Sequence, residues 1–275
     1  MSPASAPAAV RVFAGGFCAA AVLLVLLAGC AAPGTELPAA VEPRTASDQT
    51  DNDRRARVRL ELASAYFSRG QLETALDEVK LALLVRPDMA EGYNLRGLIY
   101  GSMGQDQLAD ESFRRALQLN PRDADAMHNY AWFMCQQKRY ADGDQLFRQA
   151  LAQPQYRDNL RSLLAQGVCQ ARAGNTDEAE RTLTRAYEGD PSNPNVAFNL
   201  AEVLYQRGEL ERARFYVRRI NQQAGQSNAQ TLWLAVKIER RLGNAGGVDD
   251  YGRQLRNRFP QAPQTLALER GRFDD

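Results

Sequence analysis

Small and apolar side chains recur along most of the chain, between charged and polar residues, in a pattern that repeats every 34 residues. A proline ends the first copy at Pro87, and another ends the second copy 34 positions later at Pro121. Six copies begin near residues 56, 90, 124, 160, 194 and 228, and only the junction between the third and fourth copies is longer, by two residues. Because such internal repeats are typical of stacked helical units, the pattern predicts six helix pairs over residues 56–275.

The residue types at the repeated positions suit packed helix pairs. Small residues let two helices cross closely, aromatic residues fill the space around the crossing, and proline ends the second helix. In the first two copies these positions hold Ala63, Tyr66, Ala75, Val79 and Ala82, then Gly97, Tyr100, Ala109, Phe113 and Ala116. The pattern resembles the tetratricopeptide repeat. The resemblance implies an all-α fold, a right-handed superhelix of six helix pairs whose degenerate last copy ends the stack.

The concave side of such a superhelix is lined by the first helix of each pair, which makes it a candidate partner-binding groove. Apolar residues on a surface that the stack does not cover would suit a bound helix or strand. The groove positions hold Leu60, Phe67, Asn94, Leu98, His128, Trp132, Arg161, Leu164, Val168, Arg172, Phe198, Glu202 and Tyr205. The alternative is that several of these side chains only pack on neighbouring repeats.

Composition excludes several classes of function. Ala, Leu, Arg, Gln and Glu are plentiful whereas Val, Ile and Thr are sparse, which favours helices over sheets. The 275 residues include 34 basic and 33 acidic side chains, for a formal net charge of +1, without the basic excess expected of a protein that binds nucleic acid. We therefore expect no nucleic-acid partner.

Catalytic chemistry also finds little support in the sequence. The chain has one histidine, His128, and no serine or cysteine nucleophile at a recognisable spacing from it. Four cysteines and one histidine are too few for a structural zinc site of ordinary composition. The sequence therefore predicts a protein that is not an enzyme and that uses no metal, cofactor or small-molecule substrate.

The N-terminal 30 residues predict an export signal. Arg11 precedes an apolar run that ends in Leu27-Ala28-Gly29-Cys30, and a charged start before an apolar run is typical of a secretory signal. The last four residues resemble the bacterial lipobox, which implies cleavage after residue 29 and diacylation of Cys30. An uncleaved membrane anchor is the alternative, but it needs about 20 apolar residues and the run has only about 16.

Several predictions about location follow from the lipobox. Residues 1–29 form a signal peptide, and residues 30–55 form a lipidated and flexible tether with prolines and few large apolar groups. Ala31, rather than Asp, follows the cysteine, and this resembles lipoproteins sorted to the outer membrane. We therefore expect a protein on the periplasmic face of the outer membrane, attached to the membrane through its N-terminal acyl chains.

Two further cysteines, Cys135 and Cys169, fall on the first helices of adjacent repeats. Such helices pack side by side at roughly 8–10 Å, and an exported protein meets an oxidising compartment. A disulfide would therefore join the third repeat to the fourth, next to the longer junction. The alternative is two buried free thiols.

Charge is distributed unevenly along the chain. Residues 31–206 hold 20 basic and 25 acidic groups, whereas residues 207–258 hold 11 basic and 5 acidic groups. The basic excess includes Arg212, Arg214, Arg218, Arg219, Arg253, Arg256 and Arg258. These side chains are available to lipid head groups or to an acidic partner, although solvated helix faces are the simpler interpretation.

Two stretches point beyond the repeat to a particular family. Residues 129–140 read N-Y-A-W-F-M-C-Q-Q-K-R-Y, and residues 250–260 read D-Y-G-R-Q-L-R-N-R-F-P. Together with the lipobox, they are similar to the type IV pilus biogenesis/stability lipoprotein family. The resemblance implies an outer-membrane pilotin that binds the pilus secretin and helps it assemble, as needed for pili and twitching. The alternative is a general envelope scaffold that serves cell-wall hydrolases or outer-membrane protein assembly.

Overall fold

All regular structure that the computed structural model describes, in residues 50–223 and 225–273, is α-helical. The helices of the first three pairs are α1 (Asp51–Ser68) and α2 (Leu72–Val85), α3 (Ala90–Ser102) and α4 (Asp106–Leu119), and α5 (Ala124–Gln136) and α6 (Tyr140–Leu151). Those of the last three are α7 (Asn159–Arg172) and α8 (Thr176–Gly189), α9 (Pro194–Gln206) and α10 (Leu210–Asn221), and α11 (Ala229–Arg241) and α12 (Ala245–Arg258), followed by α13 (Pro263–Glu269). The predicted all-α fold of six helix pairs is confirmed.

The contacts between helices show which side of the stack is concave. Each helix packs mainly on the other helix of its pair, and each second helix packs on the first helix of the next pair. The backbones of consecutive first helices also lie close together, whereas within the described residues those of consecutive second helices do not. The second helices meet only through longer side chains, as where Tyr187 of α8 packs on Tyr216 of α10. The first helices therefore lie on the shorter, inner side of the stack, where the groove was predicted.

Close helix crossings explain the small residues of the repeat. A Cβ atom on Gly97 would lie 2.8 Å from the ring of Phe113, and one on Gly167 would lie 2.5 Å from Leu183. A Cβ atom on Gly143 would lie 2.8 Å from the carbonyl oxygen of Ala131. These separations are shorter than atomic contacts allow, so the crossings exclude larger side chains.

The solenoid begins earlier than predicted. The Thr50 hydroxyl accepts a hydrogen bond from the Asp53 backbone N–H, and the Asp53 carboxylate accepts one from the Thr50 N–H. This reciprocal pair starts α1 at Asp51, and Asp53 also forms an ion pair with Arg86, which directly follows α2. Residues 51–55, which were predicted as tether, therefore belong to the first helix.

The end of the solenoid also differs from the simple repeat. Helix α13 lies beyond the six pairs and packs on both α11 and α12, in the manner of the first helix of a further pair. Leu255 of α12 and Leu232 of α11 are fully buried in the cluster that includes Leu268 of α13. The C-terminal end of the stack is therefore covered.

Three observations bear on the prediction that the protein is exported. Cys135 and Cys169 are joined by a disulfide, with their Cα atoms 5.7 Å apart, between α5 and α7. The predicted signal peptide, the predicted lipidation site Cys30 and the predicted tether as far as residue 49 lie outside the described residues. Within the described residues, no helix has the length and apolar character needed to cross a bilayer.

Candidate functional site

The predicted groove residues lie on the inner helices, but most of them are only partly accessible. Arg161 and Arg172 are exposed, and His128 is buried. The other ten are half-buried, namely Leu60, Phe67, Asn94, Leu98, Trp132, Leu164, Val168, Phe198, Glu202 and Tyr205. The groove is therefore a shallow surface in which apolar side chains show one edge to solvent.

The apolar groove residues also serve the core. Leu60 and Phe67 pack on the buried cluster of the first two repeats, and Trp132 packs on the cluster that contains the disulfide. Phe198 and Tyr205 pack on the cluster of the fourth to sixth repeats. Packing on neighbouring repeats, the alternative noted for these positions, accounts for the hidden part of each side chain.

One small cavity opens along this surface. It has a volume of about 230 Å³ and lies between α7 and α9, where Val168, Arg172 and Glu202 contribute to its lining. The guanidinium of Arg172 also lies 5.2 Å from the ring centre of Trp132. A bound segment at this point would meet the cationic Arg172 and the carboxylate of Glu202 beside the apolar edge of Val168.

Two cationic side chains lie against the ring of Tyr205, the groove residue nearest to the C-terminal end of the chain. The ammonium of Lys237 lies 5.4 Å from the ring centre of Tyr205, and the guanidinium of Arg241 lies 4.7 Å from it. Arg241 also donates a hydrogen bond to the backbone carbonyl of Tyr205. Both basic residues belong to α11, so the positive charge of the last repeat reaches into the groove.

His128 was predicted to face the groove, and the structure corrects this position. Its side chain is only 7% exposed, and its ring edge meets Phe147 at 5.5 Å between ring centres. Its Nδ1 atom lies 2.6 Å from Ser162 Oγ, which in turn lies 2.7 Å from the Tyr156 hydroxyl. His128 is buried because the longer junction brings Tyr156 and Ser162 over it.

The surroundings of His128 suit a structural role. Burial, with a smaller effect of the nearby Arg161, lowers the pKa of His128 to about 4. The imidazole is therefore neutral at neutral pH and joins the third repeat to the fourth through Ser162. The two-residue insertion was the signal in the sequence, but it did not reveal which side chains it would bring together.

A polar network that the sequence did not predict joins the second and third repeats. Asp110 of α4 is almost fully buried and accepts hydrogen bonds from the Tyr130 hydroxyl at 2.6 Å and from Arg139 at 2.8 Å. Arg114 also pairs with this carboxylate. Burial raises the pKa of Asp110, but the three hydrogen bonds outweigh it, so the pKa lies below its usual value.

Four of the seven large apolar side chains that are exposed among the described residues lie outside the predicted groove, on the first pair. Leu84 of α2 is 78% exposed and Leu81, one turn earlier, is 40% exposed. On α1, Val58 and Leu62 are also exposed. Apolar patches that the fold leaves open mark candidate interaction sites.

The exposure of the α1 residues follows from their place at the start of the stack. The equivalent residues of the fifth repeat are Val196, which is buried against Ala186 of the preceding helix α8, and Leu200, which is fully buried. Within the described residues no helix precedes α1, so Val58 and Leu62 stay uncovered. In the sequence, apolar residues at these positions of the first repeat indicate an exposed apolar surface, which the groove prediction did not consider.

No metal-binding arrangement is apparent in the part of the chain that the structure describes. There, no group of three or more His, Cys, Asp or Glu side chains is placed to hold a metal ion. The described surface presents apolar side chains and unevenly distributed charge.

Comparison with known proteins agrees with this architecture. Four family models described as tetratricopeptide repeat match residues 90–123, 112–145, 136–194 and 170–233, which together cover more than half of the chain. The chain is 27% identical over 239 residues to the type IV pilus assembly protein PilF of Pseudomonas aeruginosa. That alignment covers 87% of this chain and 92% of that protein.

Solved structures give the same result. The crystal structure of PilW, a widely conserved type IV pilus biogenesis factor, has a TM-score of 0.73 and 29% identity, and the match covers 78% of this chain and 98% of that one. A structure of PilF from Pseudomonas aeruginosa has a TM-score of 0.71 and 24% identity, with 81% and 100% covered. The similarity therefore spans nearly the whole solenoid.

Proposed function

Because the chain belongs to the tetratricopeptide-repeat family and is homologous to the type IV pilus biogenesis proteins PilF and PilW, we propose that it binds the type IV pilus secretin. As an outer-membrane lipoprotein on the periplasmic face, it would promote the localisation of the secretin in that membrane and its assembly into a ring. This activity would be required for stable pili and for twitching.

The observation that carries the proposal is similarity along almost the entire solenoid to two proteins named for pilus biogenesis and assembly. Similarity to a repeat alone would leave the partner open, because the same repeat serves many functions. Here the alignment with PilF covers 87% of this chain and 92% of that protein. The sequence expectation of a lipidated Cys30 supplies the membrane part of the proposal.

The exposed apolar residues of the first pair are the surface that best fits secretin docking. Two leucines one turn apart, Leu81 and Leu84, present side chains that need no rearrangement of the core to be buried by a partner. Burying one leucine side chain stabilises a complex by roughly 1.5–3 kcal/mol. The groove residues are half-buried already and would gain less.

The position of this surface also suits a tethered protein. Thr50 follows Cys30 by 20 residues, so a lipidated Cys30 would stand no farther than about 70 Å from the start of α1 even along a fully extended chain. The first pair is the part of the solenoid nearest to that anchor along the chain. A secretin subunit bound there would be held close to the outer membrane.

The test uses cells with the gene deleted, complemented by the wild-type gene or by a Cys30→Ala variant. Membrane fractions are run unboiled on a detergent gel and probed for the secretin. We expect the high-mass ring to be lost or misplaced in the deletion strain and in the Cys30→Ala strain. Intact outer-membrane rings in the deletion strain would refute the proposal and favour a general envelope scaffold.

A further inference from the structure

Five basic side chains converge at the C-terminal end of the solenoid. Lys237, Arg240 and Arg241 belong to the last turns of α11, and Arg270 and Arg272 follow directly on α13. Lys237, Arg270 and Arg272 line a cavity of about 430 Å³ together with Trp233, Pro263 and Leu266. The cavity lies between α11, which is the first helix of the last pair, and α13, which covers that pair.

Within the described residues, these five cations are not held in ion pairs. Ion pairs occupy many arginines of the solenoid, including Arg212 and Arg214 one repeat earlier. None of the five has an ion-pair partner among the described residues. Lys237 and Arg241 lie over the ring of Tyr205. Arg240 lies 3.6 Å from the ring centre of Phe273. Their charge is therefore not held in ion pairs with the described carboxylates, and three of them, Lys237, Arg270 and Arg272, surround one opening.

The cavity also offers apolar surface. Trp233 is nearly buried and stacks on Phe273 at 5.3 Å between ring centres, which holds one wall in place. Leu266 on the other side is 42% exposed. A ligand that fits this cavity combines negative charge with an apolar group.

We infer that this cavity binds an acidic peptide segment, with carboxylates at Lys237, Arg270 and Arg272 and an apolar side chain between Trp233 and Leu266. The site is continuous with the groove, because Lys237 also contacts Tyr205. An acidic segment held here would fix the direction in which a partner chain enters the groove. The identity of the protein that carries this acidic segment rests on the proposed function.

Charge and size favour a peptide over other anions. The chain as a whole carries a formal charge of only +1, whereas proteins that bind nucleic acid present a broad basic face. The cavity has a volume of about 430 Å³, which lies within the range of about 300–1,000 Å³ that is usual for small-ligand pockets. A flat lipid surface would leave its apolar walls unfilled.

The chain itself supplies a competing occupant. The sequence ends in Asp274 and Asp275, which lie outside the described residues and directly follow Phe273. These two carboxylates resemble the ligand that the cavity is inferred to bind. A variant that ends at Phe273 therefore belongs in the experiment.

The test measures binding of two fluorescein-labelled peptides, acetyl-DELDE-amide and the uncharged acetyl-NQLNQ-amide, to the chain from residue 31 onward. Fluorescence anisotropy is recorded at about 50 mM and about 300 mM salt, because screening weakens exposed charge pairs. The variant is Arg270→Gln with Arg272→Gln. The matched control is Arg253→Gln with Arg256→Gln on the neighbouring α12, which removes the same charge.

We expect the acidic peptide to bind at least about tenfold more tightly than the uncharged one, and the Arg270/Arg272 variant to lose about tenfold in affinity, as two partly exposed charge pairs would give. The control variant should bind as the wild type does. Equal binding of both peptides, or an equal loss in the control, would overturn the inference.

Two further outcomes would also overturn it. If only the chain that ends at Phe273 binds the acidic peptide, the chain's own terminus is the occupant. If anionic phosphatidylglycerol vesicles bind through Arg270 and Arg272 while the peptide does not, the ligand is a lipid surface. Secretin binding is measured separately on the same variants, so failure of this site and failure of the proposed function give different results.

Discussion

The two ends of the solenoid are built from the same repeat, but their surfaces differ in chemical character. The first pair leaves Val58, Leu62, Leu81 and Leu84 exposed, whereas the last pair buries Leu232 and Leu255 beneath α13. A helix pair cannot bury both of its faces alone, so the surface of each end depends on what adjoins it. Within the described residues, the N-terminal end is uncovered and apolar, whereas the C-terminal end is covered by α13 and carries the cations Lys237, Arg270 and Arg272.

The largest effect is expected from removing the disulfide that joins the N-terminal half of the solenoid to the C-terminal half. The disulfide between Cys135 and Cys169 closes a 34-residue span across the longer junction. Replacing both cysteines by alanine should lower the free energy of unfolding by about 3–4 kcal/mol in the chain-entropy model. Urea unfolding of the double variant, followed by circular dichroism, measures the loss.

The disulfide also bears on cooperativity. With the bridge present we expect one transition, and without it the first and last three repeats should begin to unfold separately. A double variant that unfolds in one transition at the wild-type midpoint would show that packing alone couples the two ends.

The next largest effect compares one leucine from each end. Leu255→Ala opens a cavity under α13 and should cost about 3 kcal/mol. Leu84→Ala removes an exposed side chain and should change the free energy of unfolding by less than about 0.5 kcal/mol. Thermal and urea unfolding measure both. Equal losses would mean that the first pair is not open in solution.

Acid should weaken the junction between the ends. Because burial lowers the pKa of His128 to about 4 in the folded chain and the unfolded value is about 6.5, the unfolded state binds the proton first as the pH falls. The stability that the neutral imidazole contributes is complete above about pH 6.5 and is lost as the pH falls toward 4.

Between pH 7 and pH 5 this linkage amounts to about 2 kcal/mol. Urea unfolding at the two pH values measures it, with His128→Gln as the control that lacks the titrating group. The variant should show about 2 kcal/mol less pH dependence over this interval than the wild type. A wild-type slope that His128→Gln leaves unchanged would assign the acid sensitivity to other groups.

The smallest effect concerns the turn between α5 and α6. Lys138 has a φ of 60°, where the equivalent residues of the other repeats are Gly70, Gly104, Gly174, Gly208 and Gly243, all with positive φ. A side chain costs about 1 kcal/mol in this left-handed conformation, so Lys138→Gly should stabilise the fold by up to about that amount. An unchanged or lower melting temperature would indicate that Lys138 makes a compensating contact.

The sequence predicted the fold well because the repeat is encoded locally. Gly97 and Gly167 are small since a larger side chain would collide with Phe113 or Leu183, and such positions recur at a fixed period. The first helix was placed too late because its start depends on Thr50 and Asp53, which belong to no repeat. Helix α13 was not predicted as a separate element for the same reason.

The functional surface was harder to predict. Periodicity assigned His128 to the groove, but the longer junction buries it under Tyr156 and Ser162. The Asp110 network joins residues that are 20 and 29 positions apart, and no repeated pattern records such a pair. The exposure of Leu84 depends on which helices lie nearby, which only the three-dimensional arrangement shows.

The most direct test of the account is the affinity of the purified chain for the secretin subunit. The variant Leu81→Gln with Leu84→Gln changes the open end, and Leu108→Gln with Phe215→Gln replaces exposed apolar residues elsewhere. We expect the first variant to bind at least about tenfold more weakly, from the loss of two buried leucines, and the second to bind as the wild type does. Wild-type affinity in the first variant, with its fold intact, would contradict the assignment of the first pair as the secretin-binding surface.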